Sequence, residues 1–178
     1  MMKSARHFLS RFRKQEEGQV AIEFVLGVPL IFTLFMTSVE MSVYAMRQNF
    51  LDRGLDLAVR DIRLDTGGGM THDQIKERIC EYSGFLPDCE TYLQLEMNPV
   101  NPNSFTGFAG SADCVDRSLP VAPSVNFVHG VSHDMMIMRA CYTFDPVFPT
   151  TGMGRSFTKD SEGRVRMVSL SAFVQEPT

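Results

Sequence analysis

The stretch that most constrains this chain is FVLGVPLIFTLFMTSV, Phe24–Val39, sixteen consecutive residues without a formal charge. With softer flanks the apolar run extends from Val20 to about Met46, broken by Glu23 and Glu40. A helix of about 20 residues crosses a typical hydrocarbon core, so the flanks supply what the uncharged sixteen lack. The run can span a membrane with its two carboxylates near the two faces. A carboxylate inside such a run is costly unless it has a partner or a task. Glu23 therefore asks for an explanation.

Two other readings compete. A buried helix of a soluble domain would not need the basic block in front of the run. A secretory signal peptide would close a short apolar core with small residues at a cleavage site, and TSVEMSVYAM is a poor one. The C-terminal RVRMVSLSAFVQEPT alternates like a strand and is too short and too charged for a second span. One crossing is expected.

Charge sets the expected orientation. Met1–Gly18 carries Lys3, Arg6, Arg11, Arg13 and Lys14 against Glu16 and Glu17, a net +3. The whole chain is at −4, which leaves −7 beyond Gly18. Basic residues flanking a span stay in the cytoplasm, so the remainder belongs outside the inner membrane, in the periplasm or beyond. An acidic folded part also argues against nucleic-acid binding, which places positive charge on the fold.

All four cysteines, Cys80, Cys89, Cys114 and Cys141, lie beyond the run, in a compartment where disulfides persist. Four cysteines allow three pairings. Cys80–Cys89 with Cys114–Cys141 is preferred, because the first pair ties a helix end to the turn after it. No spacing is CxxC, so neither a zinc site nor a redox motif is expected.

Beyond the membrane the helix is expected to continue. Leu51, Leu55, Ala58, Val59 and Ile62 recur at helical spacing, with Arg47, Asp52, Arg53, Asp56, Arg60 and Asp61 over much of the rest. One helix from Gln19 to Leu64, kinked at Pro29 and stopped by TGGG, is the expectation. Thr71 and Gln74 form a capping-box pattern before a short helix near His72–Tyr82. TYLQLEMNPV, Met135–Phe144 and Arg164–Val174 read as strands, separated by loop-rich Asn98–Ser124 and by Asp145–Gly163. The fold class is α+β: a long N-terminal transmembrane and stalk helix, then a small extracytoplasmic antiparallel-sheet domain with disulfides. The divisions are a basic leader at 1–18, a transmembrane helix at 19–46, a stalk at 47–65 and the α+β domain at 66–178.

Chemistry is sparse. His129 and His133 are four apart with Asp134 beside them, but Gly130 and the following strand spoil a helical metal site. TGMGRS lacks the lysine and spacing of a phosphate loop, and no nucleophile-elbow pattern occurs. Met135, Met136 and Met138 read as strand core and edge. No metal, cofactor or catalytic residue is expected.

The basic leader, Gly18, four residues, then Glu23 and Phe24 ahead of the apolar run resemble the processing site of type IV pilin-like proteins. GQVAIEFVLGVPLIFTLFMTSVEMSVYAMRQNFLDRGLDLAVRDIR resembles, more narrowly, the TadE/TadF-like minor pilins (pseudopilins) of the tight-adherence (type IVc, Flp) pilus system. Gly18, Glu23, Phe24, Pro29, Glu40, Ala58 and Arg60 carry the likeness, which covers about Gln15–Asp65. It implies a non-enzymatic subunit cut after Gly18 by a prepilin peptidase. It further implies packing against other pilins and minor pilins through the N-terminal helix, with Pro29 and Glu40 in the packing or membrane region. An assembly platform and a role in adhesion come with it.

The charge argument stands beside the resemblance. Gln19 and Glu23 are i and i+4 and share a helix face. A new α-amine at Gln19, with a pKa of about 7.7–8.0, would be largely cationic and could neutralise Glu23. A neighbouring subunit displaced by about 6 Å along the axis could supply the amine instead. The alternatives are an uncleaved, single-span periplasmic binding module and, from another class, a tethered periplasmic enzyme.

Overall fold

The computed structural model describes residues 18–65, 69–104, 110, 112, 114–115 and 126–176. The basic leader, most of the TGGG stop and much of the Asn98–Ser124 stretch lie outside the described residues.

Helix α1 runs unbroken over Gln19–Leu64, 46 residues, about 69 Å at 1.5 Å per residue. Pro29 lies inside it, with helix on both sides. Its two halves meet different surroundings. From Leu51 onward, Leu51, Leu55, Ala58, Val59 and Ile62 are all buried, while Arg53, Asp56 and Arg60 face out. This is the one-sided apolar stripe by which a helix joins a core. The helix stops at Asp65, whose N–H reaches back to the Ile62 carbonyl at 3.3 Å.

Helix α2, His72–Ser83, starts on the expected capping box. The Gln74 N–H donates to Thr71 Oγ1 at 3.4 Å, and the Thr71 N–H to Gln74 Oε1 at 2.9 Å. Ile75 and Ile79 are buried against α1, and the Tyr82 hydroxyl donates to Asp61 Oδ2 at 2.6 Å. Gly54 explains how the helices come so close: a Cβ there would lie 2.7 Å from the Ile79 carbonyl oxygen and nearer still to the Ser83 hydroxyl. In the sequence Gly54 only weakens a helix. In the fold it is the crossing point. Gly54→Ala is expected to destabilise the domain by about 1–3 kcal/mol through overpacking, despite its gain in helix propensity. Thermal unfolding followed by near-ultraviolet circular dichroism would show it; an unchanged or raised midpoint would remove the crossing as the reason for glycine.

The short helix α3 (Cys89–Tyr92) leads into β1 (Leu93–Pro99), which pairs antiparallel with β2 (Met135–Phe144), itself paired antiparallel with β3 (Val165–Val174). Leu95 faces Ala140, and Ala140 faces Ser169. Leu93, Leu95, Met97, Met136, Met138, Tyr142, Val165, Met167 and Phe173 all turn to the buried side, joining α1 and α2 in one core. The methionines at 136 and 138 are thus core residues. Disulfides join Cys80 to Cys89, between α2 and α3, and Cys114 to Cys141, on the sheet's other face. Burial pushes the Tyr142 phenol up to about 12, and its hydroxyl donates to the Pro87 carbonyl at 2.7 Å.

Three pieces are absent from the strand-and-helix reading of the sequence, the first being α3, which takes Thr91 and Tyr92 from the expected strand. Residues 126–128 run parallel to the edge of β1, with Met97 N–H donating to Asn126 O at 3.0 Å and Val128 N–H to Met97 O at 2.9 Å. The connection after β2 contains the short helix α4, Gly152–Ser156.

Candidate functional site

Among the described residues, nothing covers the lower half of α1. Val20, Ile22, Phe24, Val25, Leu26, Leu30, Ile31, Phe32, Leu34 and Phe35 are all exposed, and this stretch is apolar and long enough to cross a membrane. Apolar area on that scale is not left to water. Its few polar side chains look after themselves. Thr33 Oγ1 donates to the Pro29 carbonyl, Thr37 Oγ1 and Ser38 Oγ to that of Leu34, and Ser42 Oγ to that of Ser38, each at 2.8 Å. Hydroxyls bonded back to the preceding turn remove most of the penalty of placing them in lipid.

Gly18 stands at the start of this half as the residue before the first helical turn, with φ −90° and ψ −12°. No side chain caps the helix there, and a Cβ on Gly18 would meet nothing within 4 Å. Among the described residues, neither backbone strain nor packing calls for glycine at 18. Glu23, one turn beyond Gln19, is exposed, as is Phe24.

Glu40 behaves differently. It is 1 % exposed, the deepest carboxylate of the described residues. Its Oε1 accepts the Val147 N–H at 3.1 Å and its Oε2 the Phe148 N–H at 2.8 Å. The loop between β2 and α4 therefore sits on α1 through two charge-assisted bonds to one side chain. Two glycines allow the approach. A Cβ on Gly152, whose φ is +52°, would fall 2.5 Å from Thr37 Cγ2, and one on Gly154 would run into the Phe148 carbonyl. The glycines of TGMGRS are thus a close-packing device against α1. Above this collar, Tyr44 stacks on Phe157 with ring centroids 5.3 Å apart, and Arg47 lies 4.7 Å over Phe144 and donates to the Asp145 carbonyl at 3.3 Å. Of the expected span 19–46, the part from Thr37 onward is already in contact with the folded domain.

The sequence signals for this collar are weak. Glu40 is a visible interruption of the apolar run, but its acceptors' partners are backbone amides more than a hundred positions away. Only the paired glycines of TGMGRS mark the other side.

At the far end of α1, a hollow of about 310 Å³ is lined in part by Ile62, Met70, Met97, His129 and Val131. His129 Nε2 is 2.8 Å from the Met70 carbonyl, so the ring acts as a strut between two chain segments. His133 is exposed with a φ of 71° and does not line the hollow.

The family comparison falls on the helix. Residues 18–60 match the model of the TadE-like protein family. The chain carries a TadE-like segment. That segment begins at Gly18, takes in Glu23, Phe24, Pro29, Glu40 and Ala58, and closes at Arg60. It covers the exposed half of α1, Thr37 and Glu40 on the helix side of the collar, and most of the buried half, and stops before α2, the sheet and the collar loop. No curated protein and no solved structure matches the chain.

Proposed function

We propose that this chain is a minor pilin or pseudopilin of a tight-adherence (Flp) pilus, processed by a prepilin peptidase after Gly18 and assembled through α1. The TadE-like segment points to a Tad-pilus-associated protein, and that family is not one of enzymes. One observation carries the finer reading: an uncovered apolar half-helix begins at Gly18, where the family match also begins, with a carboxylate one turn inside it. A single N-terminal apolar helix fits a single-pass membrane anchor. The basic leader supports a cytoplasmic start, and the disulfides support a periplasmic domain.

Among the described residues nothing in the fold calls for glycine at 18, which supports a role in the peptidase's groove, where a side chain would obstruct the cut. Cleavage moves an amine to Gln19, at the positive end of the helix dipole. The Glu23 carboxylate offsets both charges, on its own chain or on the neighbouring subunit. Its partners are then the peptidase, other pilins and minor pilins along α1, the assembly platform and the inner membrane.

The mature N-terminus of protein purified from membranes tests this directly. The expected chain begins at Gln19; a chain beginning at Met1 overturns the processed-pilin reading and leaves an uncleaved anchor. At 20.0 kDa for 178 residues, loss of the first eighteen removes about 2 kDa. Gly18→Leu is expected to abolish that mobility shift while leaving the folded domain intact.

A further inference from the structure

We infer that the collar loop, residues 146–153, is a second membrane contact that rests on the outer leaflet beside α1. The inference depends on α1 being the membrane anchor. From Gln19 to Met36 the helix has eighteen residues outside the collar, about 27 Å of axis, against a hydrocarbon core of about 30 Å. Thr37 and Glu40 therefore stand where α1 leaves the hydrocarbon. The loop bound to them is the part of the domain nearest the bilayer: the other described contacts along α1 meet it from Tyr44 upward.

The loop's composition suits that level. Val147 is 44 % exposed and Met153 37 %, although both belong to the one loop held firmly by Glu40. Pro149, Thr150 and Thr151 are exposed between them. Arg155 is exposed two positions after Met153, placed for a phosphate. Lys159 Nζ donates to the Pro149 carbonyl and adds a second cation. Asp145, the nearest carboxylate to the loop on its own segment, is engaged by Arg164 at 3.5 Å. Tyr44, just above the collar, is of the residue type enriched at the lipid headgroup level. Apolar tips, hydroxyls and cations on one loop and its flank match the boundary between acyl chains and headgroups. The occupant of this surface is the phospholipid leaflet that α1 traverses, since the patch is continuous with the exposed helix. Two points of contact fix the domain's height and rotation over the bilayer, which a lone helix leaves free.

The chain contains no tryptophan, so a single introduced one reports its own depth. Full-length Val147→Trp, Met153→Trp, Phe32→Trp and Val131→Trp variants would be reconstituted in phosphatidylcholine–phosphatidylglycerol vesicles. Quenching by brominated lipids and by aqueous acrylamide is then compared. Val131, 71 % exposed and at the hollow by the far end of α1, is the solvent reference, and Phe32 the buried one. Expected is strong quenching of Phe32→Trp by deep bromines. Val147→Trp and Met153→Trp should be quenched several-fold more than Val131→Trp by bromines near the headgroup. If positions 147 and 153 behave like 131 while 32 is quenched, the anchor stands and the loop contact is overturned. If 147 and 153 are shielded from acrylamide yet untouched by lipid bromines, they are covered by a second copy, which also overturns it. If 32 escapes lipid quenching, the anchor reading itself fails, and the loop contact with it.

Discussion

Replacing Glu40 by alanine is expected to release residues 145–156 from α1. The substitution removes the acceptor of both the Val147 and the Phe148 N–H. A buried donor left without a partner costs about 1–3 kcal/mol, so two of them cost about 2–6 kcal/mol while the loop stays down. The loop can avoid that cost by lifting off and letting water reach the amides. The effect is therefore local before it is global. Amide hydrogen exchange at Val147 and Phe148 should accelerate steeply, with α2 and the sheet nearly unaffected. Glu40→Gln separates charge from shape: its remaining oxygen still accepts one N–H, while its NH₂ faces the other, so exchange should fall between wild type and alanine. Wild-type protection in the alanine variant would show that the loop is held by the Gly152 and Gly154 packing alone.

The two carboxylates of the apolar run thus meet different surroundings, although one sequence argument about buried charge covers both. Seventeen positions apart, they mark the two ends of the uncovered helix. Glu23 lies in the exposed part, where the proposed partner is an amine created by cleavage. Glu40 is wholly inside the domain, its charge met by backbone amides of the same chain. Pairing Glu40 with its own loop separates its task from the one proposed for Glu23. It also sets the length of helix that can enter a membrane, because the collar cannot follow α1 into lipid without burying Asp145 and Arg155 there.

How far such features can be read in advance depends on whether their cause is local. The spacing of Leu51, Leu55, Ala58, Val59 and Ile62 shows the buried face of α1 because a helix repeats every 3.6 residues whatever it packs against. Thr71 and Gln74 announce the start of α2 because a capping box is complete within four residues. The alternation in Val165–Val174 is equally plain, since one face of β3 is buried and the other open. Gly54, by contrast, looks like a flaw in a helix until α2 lies across it. The Asn126–Val128 pairing and the seating of Gly152 on Thr37 have causes far away in sequence, and backbone amides leave no mark in a list of side chains. The proposed processing site is legible for the opposite reason. A peptidase reads the chain linearly, so Gly18 and Glu23 carry their message without any fold.

A second large effect is expected at Arg139 and Glu96, which face each other across β1 and β2 on the side of the sheet away from α1. Both are nearly buried, and the Arg139 guanidinium donates directly to Glu96 Oε2. It also donates to the Gly110 carbonyl at 3.3 Å, close to the Cys114–Cys141 disulfide that holds the neighbouring segment to the same strand. Arg139→Met leaves a carboxylate buried without its counter-charge. Removing one partner of a buried pair costs about 3–5 kcal/mol, enough to lower the melting midpoint of a domain this size by roughly 15 °C or more. Glu96→Leu combined with Arg139→Met removes both desolvation penalties, and such double replacements are often neutral or better. Here the recovery should be incomplete in one respect. The double variant has no donor for Gly110, so exchange or proteolysis near 110–114 should stay faster than in wild type even where the midpoint returns. A double variant as unstable as the single one would mean that the pair's hydrogen-bond geometry, rather than its charge balance, is what the sheet requires.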